Sequence, residues 1–245
     1  MIVPVHVRLV PPSRATAPHC LVVCLVFFLA VVVSACSRTP EPAQFTGPTM
    51  GTTYHVTVSG ADSSHERRAV QAAIDQVLVE TERHLSTYHV TSEIALLNRD
   101  ESRAWRDVSP TLFAVLQEAR VVSELTGGSF DVTVAPLLAL WGYEPGGLDA
   151  SGQTPFTAPT SDQLEQARSS VGYARLELRN VPRRSVRKGA SGMRLTVDGI
   201  APGYAVDRIA TELRILGHAD FIVEIGGEVR AAGQRPEGGP WRIAI

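Results

Sequence analysis

Lysine is nearly absent from this chain: Lys188 is the only one among 23 basic residues. Gly189 follows it, so there is no phosphate loop ending in Gly-Lys-Ser/Thr. Cysteine occurs only at Cys20, Cys24 and Cys36. The chain beyond residue 36 therefore has no disulfide, no thiol nucleophile and no thiolate metal site. No Gly-x-Gly-x-x-Gly opens a helix, which leaves a Rossmann dinucleotide site unsupported. His65-Glu66 runs into Arg67-Arg68-Ala69 and completes no His-Glu-x-x-His metal helix. Gly189-Ala190-Ser191-Gly192 lacks the spacing of a nucleophile elbow. His55, His65, His84, His89 and His218 show no ligand spacing and are expected at the surface. A formal net charge of −2 supplies no sequence-wide basic field for nucleic acid.

What remains reads as a globular domain behind an export signal. An apolar content of 44 % is enough to oppose chain entropy, and 245 residues suit one large domain or two small ones. Arg8 and Arg14 precede the first acid, Glu41, and residues 21–33 are continuously apolar before Ser34-Ala35-Cys36. A basic start, a short apolar core and small residues describe a secretory signal. The run falls short of the ~20 residues that span a bilayer as a helix. Val33-Ser34-Ala35-Cys36 resembles the lipobox of bacterial lipoproteins, which implies a lipidated Cys36. The expected organisation is a lipoprotein signal peptide over 1–35, the lipidated Cys and a tether over 36–44, and one domain over 45–245. The expected location is outside the cytoplasm, lipid-anchored to a bacterial membrane and facing the periplasm. A plain signal anchor is the alternative reading of the leader.

Along the domain, residues 53–59 alternate like a strand, with Tyr54, Val56 and Val58 on one side. Ser63 with Glu66 forms a capping box for a helix whose inner face is Val70, Ala73, Ile74, Val77, Leu78 and Leu85. A shorter helix is expected from Ser92. Ser109-Pro110 opens another, with Leu112, Val115, Leu116, Ala119, Val122 and Leu125 inside and Gly127-Gly128 as its stop. Residues 136–141 suggest a short helix, 144–160 a long surface loop, and Ser161 a further helix start. Strands are expected at 176–178 and 193–197, joined by a Gly-rich hairpin at 189–192. A helix over 204–216 buries Ile209, Leu213 and Leu216 and stops at Gly217. Residues 221–225, Gly226-Gly227 and 228–232 read as strand, tight turn, strand, and 241–245 as a final strand that lacks a partner. Hairpins mixed with helices argue for an α+β fold of mixed or antiparallel sheets with packed helices.

Five segments carry a family pattern. They are Thr49-Met50-Gly51-Thr52-Thr53-Tyr54; Leu85-Ser86-Thr87-Tyr88 with Ser92-Glu93-Ile94 and Asn98; and Thr126-Gly127-Gly128-Ser129-Phe130-Asp131-Val132-Thr133 with Trp141-Gly142. Then come Asp198-Gly199-Ile200-Ala201-Pro202-Gly203-Tyr204-Ala205-Val206-Asp207 and Glu224-Ile225-Gly226-Gly227-Glu228-Val229-Arg230 with Pro240-Trp241-Arg242-Ile243. In this order they resemble the FAD:protein FMN transferases, the ApbE-type flavin transferases. That resemblance implies a Mg²⁺-assisted reaction that cuts FAD at its pyrophosphate. FMN goes to a Thr or Ser of an acceptor protein of a membrane electron-transfer complex, and AMP is released. It implies one compact α+β domain with FAD in a cleft.

By the same resemblance, Met50, Tyr88, Ser129, Phe130, Asp131, Thr196 and Pro202 occupy FAD-binding positions, and the Gly199 backbone carbonyl occupies a metal-binding one. No residue is assigned as catalytic. Met50, Tyr88 and Phe130 are soft or flat partners suited to the rings, and the Gly-rich turn at 199–203 lets backbone N–H groups approach phosphate. A core methionine, a surface tyrosine and an Asp131 that holds a turn are the competing structural readings. Asp207 is expected to be structural.

Two positions depart from the pattern. Pro202 stands where the family carries lysine, and Thr196 where it commonly carries an acid. The family also continues past the Trp241 segment, and its side-chain Mg²⁺ ligands lie in that continuation, so the domain reads as C-terminally incomplete. Three alternatives follow: a non-catalytic FAD-binding lipoprotein, a FAD pyrophosphatase, and an interaction lipoprotein that binds no flavin.

Overall fold

The computed structural model describes residues 41–143 and 157–243. The leader with its lipobox, and residues 144–156 of the expected surface loop, lie outside the described residues. The chain divides into Met1–Pro40 and Glu41–Ile245, and the second unit is the one described here. Its elements begin β1 (Ala43–Thr49), β2 (Thr52–Val58), α1 (Ser64–Leu85), α2 (Glu93–Arg99), β3 (Arg106–Asp107), α3 (Pro110–Leu125) and α4 (Ala135–Leu140). They continue α5 (Ser161–Ser169), a 3₁₀ turn (Tyr173–Arg175), β4 (Leu176–Arg179), β5 (Ser185–Lys188), α6 (Ala201–Ile215), β6 (Phe221–Ile225) and β7 (Glu228–Ala232).

Two antiparallel sheets organise this α+β fold. The larger has the order β1-β2-β6-β7 and the smaller β3-β5-β4. Alternation along β2 and β6 turns Tyr54, Val56, Val58, Phe221, Val223 and Ile225 to one face. Helices α1 and α6 cover that face with Val70, Ile74, Val77 and Leu78, and with Ala205, Ile209 and Leu213. The capping box at α1 is formed in both directions: Glu66 N–H donates to Ser63 Oγ at 3.1 Å, and Ser63 N–H donates to Glu66 Oε2 at 2.8 Å. A second core gathers Leu85, Ile94, Leu97, Leu112, Leu116 and Val186 with Met193, Leu195 and Val197. Ser92 and Ser109 cap α2 and α3 as expected, and Pro110 sits in the first turn of α3.

Several expectations give way to tertiary context. The strand β1 takes in Ala43 and Gln44, read above as tether. Ala43 and Phe45 are buried in the larger core, so burial begins before the first alternating segment. Residues 193–197 are not a strand. Met193, Leu195 and Val197 do alternate inward, but their backbone partners lie elsewhere. Asn98 clasps Leu195 from its side chain, accepting from Leu195 N–H at 2.7 Å and donating to its carbonyl at 2.8 Å. Thr196 N–H donates to the Val132 carbonyl at 2.8 Å, and Arg194 makes an isolated parallel bridge to Val134.

The hairpin in this region is therefore β4–β5 across residues 180–184, not the Gly-rich 189–192. Gly189 is required for another reason: a Cβ there would lie 2.3 Å from the Arg175 carbonyl oxygen. Leu125 and Leu216, both expected inside, are 81 % and 42 % exposed, because each sits where its helix unwinds past the core. Helix α6 starts at Ala201, earlier than expected, with Pro202 in its first turn. Trp241–Ile243 forms no strand. The Trp241 indole N–H instead donates to the Ala232 carbonyl at 2.8 Å, closing over the end of β7. No helix among the described residues is long and apolar enough to cross a membrane.

Candidate functional site

Three loops converge at one end of the larger sheet. The first is the β1–β2 turn, Met50-Gly51. Both residues have positive φ, 47° and 74°, and Met50 is the only described non-glycine residue in that region. Glu82, on α1, receives the turn: Met50 N–H and Thr49 Oγ1 each donate to Glu82 Oε1 at 3.4 Å. The second is the loop after α1. Ser86 Oγ accepts from the N–H groups of Tyr88 and His89 at 3.2 and 3.1 Å, which folds that loop back on the helix end. The third runs from Thr196 into α6. Its backbone turns at Val197, whose carbonyl accepts from Ile200 and Ala201 N–H at 2.9 and 2.8 Å.

A side-chain contact ties the second loop to the third. Thr87 Oγ1 donates to both carboxylate oxygens of Asp198, at 3.0 and 3.3 Å. This pair forms a ridge between two adjoining cavities. Cavity 1, about 230 Å³, is lined by Met50, Glu82, Leu85, Tyr88, His89 and Pro202 together with the ridge. Cavity 2, about 300 Å³, is lined by Tyr88, Asn98, Arg99, Tyr143, Arg194 and Thr196 together with the ridge. A ligand cleft ordinarily occupies ~300–1,000 Å³, so the two cavities together match one elongated ligand better than either does alone. Tyr88 belongs to both and is 65 % exposed, a flat ring standing at the mouth.

Of the residues singled out in the sequence, Met50, Tyr88, Thr196 and Pro202 come together on this cleft. Gly199 adjoins it, beside Asp198. The Phe130 ring packs beside it: a Cβ at Gly199 would meet that ring at 3.4 Å, which is van der Waals contact. Met50 has a double role, packing against the larger core while lining cavity 1. Ser129 is exposed and Asp131 partly buried, and neither lines either cavity.

Asp131 instead holds its turn. Oδ1 accepts from Thr133 N–H at 2.8 Å and from Thr133 Oγ1–H at 2.6 Å, and Oδ2 accepts from Tyr173 N–H at 2.9 Å. Asp207 on α6 pairs with Arg230 on β7. His84 is more enclosed than expected, its Nδ1 lying 2.7 Å from Glu93 Oε2.

The cleft also holds groups without a role in the sequence reading: Glu82, Arg99, Arg194, and Thr87 with Asp198. The last two stand inside quoted motifs. Nothing in a linear pattern brings the two arginines to a shared wall. The single lysine is elsewhere: Lys188 is buried, donating to the carbonyls of Leu97, at 3.0 Å, and Asp100 at the end of α2. Burial pushes its amine below the usual value of 10.5.

Among the described residues, no group of three or more His, Cys, Asp or Glu side chains is arranged to hold a metal ion. Asp198 precedes Gly199 and carries a carboxylate to which the Thr87 hydroxyl already donates. Mg²⁺ seeks octahedral oxygen coordination anchored by carboxylates. The donors described here do not by themselves make such a site.

The model of the ApbE family matches residues 50–245. This chain belongs to the ApbE family. An FAD:protein FMN transferase of Vibrio cholerae is 33 % identical over 215 residues, covering 88 % of this chain and 62 % of that protein. One from Haemophilus influenzae is 32 % identical, covering 89 % of this chain and 62 % of that protein. The chain thus spans about 62 % of the length of the curated relatives it matches.

Solved ApbE structures agree. Flavin transferase ApbE from Vibrio cholerae superposes with a TM-score of 0.75 at 35 % identity, over 84 % of this chain and 63 % of that one. The apo form of the Pseudomonas stutzeri flavinyl transferase ApbE gives 0.74 at 31 % identity, over 84 % and 62 %. The antiparallel α+β architecture is therefore the ApbE architecture.

Proposed function

We propose that this chain is the flavin-holding part of a FAD:protein FMN transferase. In the proposed reaction, an acceptor Thr or Ser hydroxyl attacks the phosphorus of the FMN half of FAD. The new phosphoester forms as the P–O bond to the AMP half breaks, AMP leaves with that electron pair, and the hydroxyl proton passes to solvent. One observation supports this reading most. Met50, Tyr88, Thr196 and Pro202, widely separated in sequence, line one divided cleft in an ApbE-family fold. Met50 and Tyr88 offer a soft face and a flat face to a ring. The Thr87–Asp198 contact fixes the loop that carries Tyr88. An open mouth at Tyr88 gives an acceptor segment access to the ligand.

Mg²⁺ assistance is part of the proposal. When bound, the ion would neutralise charge on the phosphates, and it would need oxygen donors beyond Asp198 and the Gly199 carbonyl. The acceptor is proposed to be a flavin-carrying subunit of a membrane electron-transfer complex. The transferase is proposed to be exported through its leader and anchored by lipid on Cys36, facing the periplasm.

Incubation with FAD, Mg²⁺ and a flavin-acceptor domain, followed by a denaturing gel under ultraviolet light, tests the transfer. A fluorescent acceptor band with matching AMP release is expected. AMP and free FMN without a band would point to a pyrophosphatase. FAD binding without AMP release would point to a non-catalytic flavin protein. Pro202 favours that last reading as the second choice, since it brings no side-chain donor to cavity 1.

A further inference from the structure

Basic charge is concentrated at one end of the smaller sheet. Residues 179–188 hold five of the chain's 23 basic residues and no acid, in a chain of formal net charge −2. Lys188 is buried. The strands β4 and β5 pair Glu177 with Arg187 and Arg179 with Ser185, on the face turned away from the core residues Leu176, Leu178 and Val186. Trp105, just before β3, lies on that outer face. Its ring centroid is 4.3 Å from the Arg179 guanidinium carbon and 5.0 Å from that of Arg187. Arg187 also donates to both Glu177 carboxylate oxygens, at 2.5–3.0 Å, so its charge is answered within the sheet.

The turn between β4 and β5 carries the rest of that charge. Arg179, Val181, Pro182, Arg183 and Arg184 are all exposed, Val181 to 79 %. Arg183 reaches back to Asp107 at 3.2 Å, an ion pair that water screens because both side chains are more than half exposed. Arg184 forms no ion pair among the described residues. With Asn180, Tyr204 and Arg208 it lines a third cavity of about 410 Å³, which opens beside α3 and α6. Glu80 is the acid on that lining, and the Thr111 hydroxyl donates to it at 3.0 Å. Arg208 pairs with Glu212 at 3.1 Å. An apolar tip, Val181-Pro182, therefore stands in a collar of three guanidiniums with an aromatic ring at its base.

We propose that the β4–β5 turn docks the domain on an anionic phospholipid surface. Val181 and Pro182 enter the headgroup layer, and Arg179, Arg183 and Arg184 take the lipid phosphates, whose oxygens match the forked guanidinium donors. The cavity beside Arg184 and Arg208 admits a headgroup. Charge complementarity and the projecting tip together favour this occupant. An acidic protein segment would answer the arginines but leave the apolar tip without a partner, whereas a bilayer surface answers both. The face is independent of the divided cleft, and the proposal does not depend on flavin binding.

The test measures partition of the full chain onto vesicles of mixed phosphatidylglycerol and phosphatidylcholine, and onto phosphatidylcholine alone. The apolar leader is common to every variant and both vesicle types, so the quantity read is the ratio of the two partition coefficients. An arginine at an anionic surface is worth roughly fivefold in partition. The ratio should therefore fall about a hundredfold in R179Q/R183Q/R184Q and roughly fivefold in R184Q alone, a variant that breaks no ion pair, with thermal midpoints recorded for each. It should shrink in high salt. V181S should weaken binding to the anionic vesicles several-fold. A ratio unchanged in both R184Q and the triple variant overturns the proposal. Binding of polyglutamate that the triple variant loses, with the vesicle ratio unchanged, overturns it in favour of an acidic protein partner.

Discussion

Replacing Asp131 by alanine separates two roles that one residue type can play in a flavin protein. The carboxylate accepts three hydrogen bonds, from Thr133 N–H, the Thr133 hydroxyl and Tyr173 N–H, at 2.6–2.9 Å. Thr133 is fully buried, and its Oγ1 also accepts from Gly172 N–H at 2.7 Å. The substitution therefore unties the 126–134 turn from the 3₁₀ turn that leads into β4. Each bond to an ionised acceptor contributes ~1.5–3 kcal/mol, but Asp131 is only partly buried and water would replace some of the lost partners. A net loss of about 3 kcal/mol is expected. For a domain of this size that lowers the melting midpoint by roughly 6–12 °C. Thermal denaturation followed by circular dichroism reads the shift, and flavin fluorescence below the transition reads FAD affinity. Affinity measured on the folded fraction should change little. A melting midpoint that stays put while FAD affinity collapses would refute the turn-holding role and make Asp131 a ligand group.

Other consequences follow from the same contacts. K188M removes the donor to the Leu97 and Asp100 carbonyls and should cost about 2 kcal/mol in urea unfolding, because the end of α2 is left with bare carbonyls. S109A removes the cap of α3 and a partner of Glu93, and should cost ~1–2 kcal/mol in the same assay. G189A should be strongly destabilising, by about 2 kcal/mol or more, since the new Cβ meets the Arg175 carbonyl at 2.3 Å.

Three carboxyls titrate below their ordinary values. Asp100 is held down by its hydrogen bond from Arg106, Asp107 by that from Ser185, and Glu66 by the backbone N–H of Ser63. A depressed folded-state value means that their stabilisation is complete above the unfolded range near pH 4 and is lost as pH falls through the lower folded values. The urea midpoint should therefore fall on acidification from pH 5 toward pH 2, and S185A should flatten part of that slope.

Local signals were most legible where the chain supplies its own partners. Ser63-Glu66, Ser92 and Ser109-Pro110 each satisfy backbone donors within a few residues, so these helix starts could be read directly. The Gly226-Gly227 hairpin is legible for the same reason, with φ of 58° and 102° in its turn. Legibility ended where the partner is distant. The segment 193–197 alternates like a strand, yet its hydrogen bonds go to Asn98 and Val132, so no ladder forms. The strand β1 was hidden because Gly47 and Pro48 break its pattern. Pro48 is tolerated there because β1 is an edge strand, and Gly47 lies against the Tyr54 ring, where a Cβ would approach to 2.8 Å.

The candidate site divides in the same way. Met50, Tyr88 and Pro202 stand in motif segments and Thr196 two residues before one, and all four converge on the cleft. Ser129 and Asp131 share a motif with Phe130, but Asp131 serves the turn and Ser129 faces outward. Arg99 and Arg194 carry no sequence signal, because only packing of α2 against the 193–197 segment brings them to one cavity.

The central claim, that the divided cleft holds FAD, is tested most directly by titrating FAD into the unaltered chain and into Y88A while following flavin fluorescence. Tyr88 stands at the mouth of both cavities and is exposed, so its loss should leave the fold intact. Saturable binding that weakens about tenfold or more in Y88A, as expected for losing an aromatic contact of ~1.5 kcal/mol, is the predicted result. Absence of saturable binding, or binding indifferent to Y88A, would contradict it.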